Sequence, residues 1–478
     1  MNDSATAAPA SPADPTASGR TALIAGAGLA GSLLAVLLGR RGWTVDLYER
    51  RPDPRARGFI GGRSINLALS TRGITALERA GLAERVLAEA IPMRGRIMHA
   101  TDGELTFQPY SRGAKRAINS VSRSQLNIML LEAASELPNV RMHFGHTVKD
   151  VDLDSGQVTF AVKPPADGAA SASASASEPT TVTAHADLVV AADGAFSAIR
   201  ARMQRTSGFD YSQSYLEHGY KELTIPPTSD GAFALDEHAL HIWPHGGSMM
   251  IALPNNDRSF TCTLFWPLEG PHSFGSLPDA AASDETIMAF FRQYYGDSVP
   301  LMPTLLEDYR ENPTSRLVTV RCAPWHWGDH VALVGDAAHA IVPFYGQGMN
   351  AAFEDCRILD EMLEAAGDDP AAVLPAYTRA RKPAGDAIAD LALDNFITMR
   401  DRVTSPWFLA RKRLEKFLNG VMPGTFEPLY DMVSFSNVPY HEARQKARRQ
   451  DRALLAGAIG IVAAGVAVAA VGLTVALT

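Results

Sequence analysis

The sequence predicts an α/β protein with a Rossmann-like domain, a mixed β-sheet domain, a helical C-terminal part and a C-terminal transmembrane helix. A strand, a glycine-rich turn, a helix and a second strand follow one another from residue 21, as in a dinucleotide-binding unit. Two more short apolar strands, near residues 190 and 333, each run into a glycine turn. Residues 453–478 carry no charge. The 478 residues, 46% of them hydrophobic, are enough for a large core.

The first dinucleotide-binding signature follows the predicted strand 21–25. Gly26 makes the tight turn, Gly28 lets a pyrophosphate approach the backbone, and Gly31 lets the helix pack against the strand. Glu49 ends the second strand, where its carboxylate can accept a hydrogen bond from an adenosine ribose hydroxyl. Because strand, helix and acid occur in order, the pattern is more specific than an isolated GxGxxG. The expected cofactor contacts here are Gly26, Gly28, Leu29, Ala30, Gly31, Glu49 and Arg50.

A second signature is the apolar strand 188–192, which delivers Asp193 and Gly194. Ser197 and Arg200 continue into a predicted helix. A turn of this kind is ordinary by itself, but its place downstream of the first unit assigns Asp193 to the same cofactor site.

The third signature indicates that the cofactor is a flavin. A short buried strand, 331–334, leads to Asp336, whose carboxylate can accept hydrogen bonds from ribityl hydroxyls. Gly346 and Gly348 let backbone N–H groups approach the ring system. A helix beginning near Met349 directs its positive end at the negative charge of a reduced flavin. The expected contacts here are Asp336, Gly346, Gly348, Met349 and Asn350.

The three signatures, in this order and spacing, resemble the flavoprotein aromatic hydroxylase superfamily. Within it, five further segments closely resemble the kynurenine 3-monooxygenase family, and the resemblance covers about residues 20 to 440. These segments are Arg63–Ser70, Ile91–Arg94, Asn119–Arg123, Met249–Asn255 and Ser434–Tyr440.

The resemblance implies an activity. Bound FAD takes hydride from NADPH and reacts with O2 to form a flavin C4a-hydroperoxide, which hydroxylates L-kynurenine to 3-hydroxy-L-kynurenine. The pathway implied is tryptophan catabolism and NAD synthesis through quinolinate. NADPH is expected to dock transiently, because the sequence shows one GxGxxG and no second nucleotide-binding unit. No side-chain nucleophile, base or metal is expected, and His339 is interpreted as a packing or hydrogen-bonding residue near the flavin.

The resemblance also carries over substrate residues. Arg96 and Tyr110 match the residues that bind the substrate carboxylate, for which a guanidinium offers a bidentate fork. Asn395 and Tyr430 match the remaining polar contacts, and Arg123 is expected on the flavin side. The expected apolar ring contacts are Leu240, Met249, Leu253, Phe265, Pro343 and Phe344. Tyr345 departs from the Phe or His that the family pattern has at that point.

Strands are predicted at 157–162 and 181–184 on either side of a flexible loop, and aromatic and β-branched runs at 240–243 and 259–265 predict strands of a mixed sheet. Helices are predicted over 361–366, 371–381, 387–400 and 408–418.

Composition shifts suggest a division of the chain. The predicted parts are a disordered tail 1–19, an FAD-binding domain 20–204 with a flexible insertion 164–180, a mixed-sheet substrate domain 205–320, a return to the FAD-binding domain 321–385, a helical substrate-capping region 386–452 and a membrane anchor helix 453–478.

The uncharged C-terminus predicts a helix long enough to span a bilayer. Five basic residues precede it, and by the positive-inside tendency they keep the enzyme body on the cytoplasmic side. They are Arg444, Lys446, Arg448, Arg449 and Arg452. A buried alanine-rich helix is the alternative. Three scattered cysteines indicate a reducing compartment, and a net charge of −8 argues against nucleic acid as a partner.

The sequence leaves three alternative functions open. A hydroxylase of another aromatic acid would share the flavin motifs but lack the setting of Asn395 and Tyr430. A flavin halogenase has a tryptophan-rich signature, but here Trp325–Trp327 is followed by Gly328 and Asp329 rather than Ile-Pro. A membrane-anchored flavin-binding protein without turnover is the third, and NADPH oxidation stimulated by kynurenine would exclude it.

Overall fold

A computed structural model of the chain describes residues 19–57, 66–111, 115–162, 180–279, 281–398, 422 and 424–456. Its central sheet has six strands, all parallel except the edge pair β18–β19. In spatial order they are β18 (His326–Trp327), β19 (Val331–Leu333), β12 (Leu188–Ala191), β1 (Thr21–Ala25), β2 (Thr44–Glu49) and β8 (Val140–Phe144). The strands predicted from the three signatures are therefore confirmed, and they lie side by side.

Helices cover this sheet, and the continuous apolar runs of β1, β12 and β19 reflect burial on both faces. The bounds of the helices are α1 Leu29–Arg40, α2 Pro54–Arg57, α3 Thr71–Arg79, α4 Ala83–Ala88, α5 Arg123–Ser135, α6 Ala198–Met203, α7 Asp284–Tyr294, α8 Leu305–Glu311, α9 Asp336–His339, α10 Gly348–Ala365 and α11 Pro370–Ile397. Two short 3-10 helices are Val299–Leu301 and Pro343–Tyr345.

A second, seven-stranded sheet is antiparallel except for the pair β14–β5. Its order is β17 (Ser315–Ala323), β13 (Asp210–Ile225), β16 (Phe260–Pro267), β15 (Ser248–Pro254), β14 (Ala239–His245), β5 (Gly95–His99) and β6 (Leu105–Pro109). The strands predicted around 240–243 and 259–265 are confirmed in it. Strands β5 and β6 join it from within the range 20–204.

Two three-stranded sheets complete the β structure. One is β3 (Asn66–Leu69), β7 (Ile118–Ser122) and β4 (Ile91–Met93); the other is β11 (Thr180–Ala184), β10 (Val158–Val162) and β9 (His146–Val151). The two strands predicted on either side of the insertion 164–180 are confirmed as β10 and β11, and the structure pairs them antiparallel. The insertion itself, except residue 180, lies outside the described residues, as does the N-terminal tail up to residue 18.

The helical C-terminal part differs from the prediction in one respect. Separate helices were expected over 371–381 and 387–400, but α11 is continuous and contains Pro375 and Pro383. A proline removes one helical hydrogen bond. The helix buries apolar side chains on both sides of Pro383, among them Leu374 and Ile388. This burial outweighs the local cost of the proline. The helix predicted over 408–418 lies outside the described residues, whereas Leu429–Ser434 and residues 440–456 are helical.

Within the described part of the chain, no helix is both long and apolar enough to cross a membrane. The predicted anchor 453–478 lies, from residue 457 onwards, outside the described residues. Two of the basic residues before it are engaged in the protein body: Arg444 pairs with Asp390, and Lys446 Nζ lies 3.0 Å from Glu427 Oε2.

Candidate active site

The turn after β1 leaves no room for side chains. A Cβ on Gly31 would lie 1.9 Å from the carbonyl oxygen of Gly26. Gly26 has a φ of +105°, and a Cβ there would lie 2.4 Å from the carbonyl oxygen of Ala192. Gly28, directly before α1, faces open space, with nothing within 4 Å of such a Cβ. The turn can therefore accept a phosphate group at the N-terminus of α1.

Two acidic residues flank this turn. Glu49 is buried, and its Oε2 accepts a hydrogen bond from the backbone N–H of Ala27 over 3.0 Å. Asp193 Oδ2 accepts from the N–H of Ala198 over 2.8 Å, while its buried Oδ1 has no hydrogen-bond partner in the described part of the chain. Burial raises the pKa of Asp193, although a hydrogen bond from Ser197 opposes the shift. An orphaned carboxyl oxygen beside the glycine turn fits a dinucleotide that carries hydroxyl donors.

Residues 335–350, here called the cofactor loop, run from β19 into α10. Asp336 is exposed at the start of α9, and Gly346 adopts the left-handed conformation with a φ of +65°. Asn350 is buried and ties the loop to β3, because its Nδ2 donates to the carbonyls of Ala68 over 2.8 Å and of Gly346 over 2.9 Å. Its Oδ1 accepts from the N–H of Ser70 over 2.9 Å. Asn350 therefore supports the loop from behind.

A buried ionic cluster, which the sequence did not predict, lies behind the cofactor loop. Arg381 Nε lies 2.7 Å from Asp355 Oδ1, and Arg381 Nη1 lies 2.7 Å from Glu354 Oε2. Asp355 Oδ2 also lies 2.5 Å from His339 Nε2, and His339 stacks on Trp325 with 4.9 Å between ring centroids. His339 is therefore a packing and hydrogen-bonding residue. Two adjacent buried charges in α10, Glu354 and Asp355, signal such a cluster but not its partners.

An arginine surrounded by tyrosines forms the second half of the site. Arg96 lies on β5, and its guanidinium carbon is 4.6 Å from the ring centroid of Tyr430 and 5.6 Å from that of Tyr110. The rings of Tyr110 and Tyr430 stack at 5.7 Å between centroids, and those of Tyr345 and Tyr430 stack at 5.6 Å. We call Arg96, Tyr110, Tyr345 and Tyr430 the Arg96 cluster.

Arg96 is a cation without an anionic partner. Its Nε and the phenol oxygen of Tyr110 are buried without a hydrogen-bond partner, and no carboxylate pairs with Arg96 among the described residues. Burial alone would lower the pKa of Arg96, but the phenol oxygens of Tyr430 and Tyr110 raise it above its ordinary value. The guanidinium therefore stays charged, and a ligand carboxylate would satisfy it.

Apolar side chains continue from the Arg96 cluster along one face of the seven-stranded sheet. Leu240 is the register neighbour of Arg96, and Leu253 packs in the same cluster as Tyr110 and Tyr430. Met249 and Phe265 are paired in register, and Phe265 lies 4.8 Å from Phe344 of the cofactor loop, centroid to centroid. Residues next in sequence, such as Met250 and Leu264, pack on the opposite face.

The other predicted contacts lie at the edges of this arrangement. Pro343 is exposed at the start of a 3-10 helix, and Arg50 and Arg123 are exposed. Asn395 Nδ2 donates to the carbonyl of Phe344 over 2.7 Å, so it contacts the cofactor loop. Met349 packs against the main core.

Glu222 on β13 was not predicted. It lies two residues from Tyr220, so both face the same side of the sheet, and burial raises its pKa to about 7 although Arg123 opposes the shift. The sequence signal that could have identified Glu222 is a single acidic residue in the alternating pattern of a half-buried strand.

Comparisons with known proteins show the family of this chain. A family model described as "FAD binding domain" matches residues 20–392. The chain is 48% identical over 432 residues to a kynurenine 3-monooxygenase of Myxococcus xanthus, covering 90% of this chain and 89% of that protein. It is 41% identical over 435 residues to the kynurenine 3-monooxygenase of Sus scrofa, covering 90% and 87%.

Solved structures share the fold. One is 2-methyl-3-hydroxypyridine-5-carboxylic acid oxygenase, with a TM-score of 0.62 and 22% identity over 81% of this chain and 94% of that one. Another is Pseudomonas aeruginosa PqsL in complex with 2-aminobenzoylacetate, with a TM-score of 0.63 and 23% identity over 80% of this chain and 97% of that one.

Proposed function

The chain belongs to the kynurenine 3-monooxygenase family, and we propose that the Arg96 cluster binds the carboxylate of its substrate. The protein is an FAD-dependent monooxygenase that uses NADPH and O2 to hydroxylate L-kynurenine to 3-hydroxy-L-kynurenine. The observation that carries the substrate assignment is the partly buried, charged guanidinium of Arg96, whose Nε has no hydrogen-bond partner and which pairs with no carboxylate among the described residues. Kynurenine combines an amino-acid carboxylate with an aromatic ring, which matches a cation at one end of an apolar sheet face.

FAD, when bound, accepts hydride from NADPH and activates O2 for transfer to the ring. The residues proposed to hold it are the glycine turn, the two acids beside it and the cofactor loop. They are Gly26, Gly28, Leu29, Ala30, Gly31, Glu49, Arg50, Arg123, Asp193, Asp336, Gly346, Gly348, Met349 and Asn350. The collision of a Cβ with the backbone at Gly26 and Gly31, and the orphaned Oδ1 of Asp193, are consistent with this role.

The protein's part in the reaction is positioning and exclusion of water. Arg96 and Tyr110 offer charge-assisted hydrogen bonds to the carboxylate, and Tyr430 covers the guanidinium with its ring. With one end anchored, the aromatic ring lies along Leu240, Met249 and Phe265, which keep water from the reacting carbon. A hydroxylated ring carbon loses its proton after oxygen transfer, and Glu222 faces the same side of the sheet.

The experiment is anaerobic and then aerobic mixing of the purified protein with NADPH, with and without L-kynurenine, followed by mass analysis. We expect faster bleaching of the flavin with kynurenine and a product one oxygen heavier at the ring. Stimulated NADPH consumption that yields only peroxide would overturn the substrate assignment. Anthranilate and salicylate serve as matched tests, since both carry a carboxylate on the ring instead of an amino-acid side chain.

We also propose that residues 453–478 attach the enzyme to a membrane, with the body on the cytoplasmic side. The support is the uncharged sequence of this segment and the basic residues before it. Cell fractionation of the full chain and of a chain ending at residue 452 tests this. Equal recovery of both in the supernatant would contradict it.

A further inference from the structure

The short helix that carries Tyr430 depends on contacts with other parts of the protein for its position. It covers only the six residues Leu429–Ser434, and a helix of this length is unstable in isolation. The carbonyls at its C-terminal end need donors from elsewhere in the protein. Arg72 of α3 supplies them: its Nε donates to the carbonyl of Val433 over 3.3 Å and its Nη2 to that of Met432 over 3.4 Å.

The same guanidinium connects this helix to the helix that follows the cofactor loop. Arg72 is fully buried, and its Nη1 lies 2.6 Å from Oε1 of Glu354 on α10. Nη2 also donates to the carbonyl of Val438. One side chain therefore fixes both the C-terminal segment, defined here as residues 428–440, and α10.

Tyr440 makes a second connection at the other end of the C-terminal segment. Its phenol oxygen donates to Oε1 of Gln347, the cofactor-loop residue directly before α10, over 2.9 Å. Its ring lies under the guanidinium of Arg72, with 3.9 Å from the guanidinium carbon to the ring centroid. Both side chains are fully buried, so the contacts are protected from water.

We propose that Arg72 and Tyr440 are positioning residues. They connect the C-terminal segment to the cofactor loop and α10, and they thereby hold Tyr430 over Arg96. The substrate-binding and cofactor-binding halves are then held in one alignment through the C-terminal segment. A displacement of the loop moves Gln347 and Tyr440, and with them Tyr430, away from the carboxylate site. This inference rests on the proposed function, in which Arg96 and Tyr430 bind the substrate.

The test is Tyr440→Phe, which keeps the ring against Arg72 and removes only the hydrogen bond to Gln347. We expect KM for kynurenine to rise about fivefold, the factor that corresponds to one lost hydrogen bond. The share of NADPH that ends as peroxide should rise too, while FAD content and kcat change less than twofold. An unchanged KM and unchanged peroxide share would overturn the proposal.

Tyr309→Phe is the matched control. Tyr309 is equally buried, and its phenol oxygen donates to the carbonyl of Leu277 over 2.7 Å on the opposite side of the seven-stranded sheet. We expect Y309F to lose about as much thermal stability as Y440F, while its kinetics stay those of the wild type. If Y309F raised KM and peroxide as Y440F does, the effect would be general loosening of the protein and the proposal would fail.

A double variant shows whether Tyr440 acts through Tyr430. Y430L alone removes the ring over the Arg96 guanidinium and should raise KM, and adding Y440F should then change KM by less than twofold. Independent, multiplicative effects would refute the connection between the two residues. A wild-type KM for Y430L would instead contradict the substrate site itself, and the positioning role with it.

Discussion

The side-chain amide of Asn395 donates a hydrogen bond to the carbonyl oxygen of Phe344 over 2.7 Å. Asn395 lies near the end of α11, and Phe344 lies in the cofactor loop, stacked on Phe396 of the same helix with 4.1 Å between centroids. Helix α11 therefore holds the loop where the apolar wall of the site meets the flavin region. Asn395 was predicted to contact substrate, and this contact to the loop is an additional role.

Replacing Asn395 by Ala should loosen the cofactor loop. We expect FAD to remain bound and the yield of hydroxylated product per NADPH to fall at least twofold, because the loop no longer excludes water from the site. Parallel assays of product, NADPH and peroxide measure this. Asn139→Ala is the control, since Asn139 also donates to main-chain carbonyls, over 2.7 Å, far from the site. Equal yields in both variants would contradict the role of Asn395.

Arg96→Met should abolish productive binding of kynurenine while FAD remains bound. Loss of a charge-assisted pair costs about 3 kcal/mol, or roughly a 100-fold rise in KM. Without substrate, the variant should unfold at the same temperature or a higher one, because it buries no unpaired cation. Titration with kynurenine and thermal melts check both. Arg94→Met, two residues away and exposed, is the control. Loss of FAD, or an unchanged affinity, would contradict the assignment.

Asp355→Asn should lower the free energy of unfolding by about 3 kcal/mol, because it removes the buried anion that Arg381 and His339 share and leaves His339 facing a neutral amide. Asp46→Asn, which breaks a more exposed pair with Arg141, should cost less than about 1 kcal/mol. Burial alone would raise the pKa of Asp355, but His339 and Arg381 lower it below its ordinary value. The stability that this pair contributes should therefore be present above about pH 4 and fall in more acidic solution. Equal losses in the two variants would show that the cluster contributes little.

Glu222→Gln should change how stability depends on pH. Burial raises the pKa of Glu222 from 4.5 to about 7, so its favourable protonated state is lost as the pH rises through 7. Between pH 4.5 and about pH 7 the folded chain binds more protons than the unfolded chain, so the stability of the fold decreases as the pH rises. The variant should melt like the parent near pH 5 and at a higher temperature above pH 7. Thermal melts from pH 5 to 8 check this, with the exposed Glu104→Gln as control. A difference that does not vary with pH would contradict the prediction.

Much of the fold was predictable because its signals are local. The strand at Thr21–Ala25, the glycine turn and the strand ending at Glu49 follow from apolar runs and from positions where only glycine fits. Met249 and Leu253 were expected at the site from the family resemblance, and the two-residue period of β15 puts both on one face. The continuation of α11 through Pro383 was not predictable. The local cost of a proline is visible in the sequence, whereas the burial that outweighs this cost is not.

The sequence by itself therefore determined the nucleotide-binding unit, two strands of the second sheet and the residue types of the site, since each depends on neighbours a few positions away. Only the tertiary structure decided that Arg96 lies against Tyr430, that Arg72 holds the helix of Tyr430, and that Asp355 pairs with His339 and Arg381. These contacts join residues far apart in the chain. Their geometry depends on how the two large sheets and α11 pack, and buried charges acquire their partners only when that packing is complete.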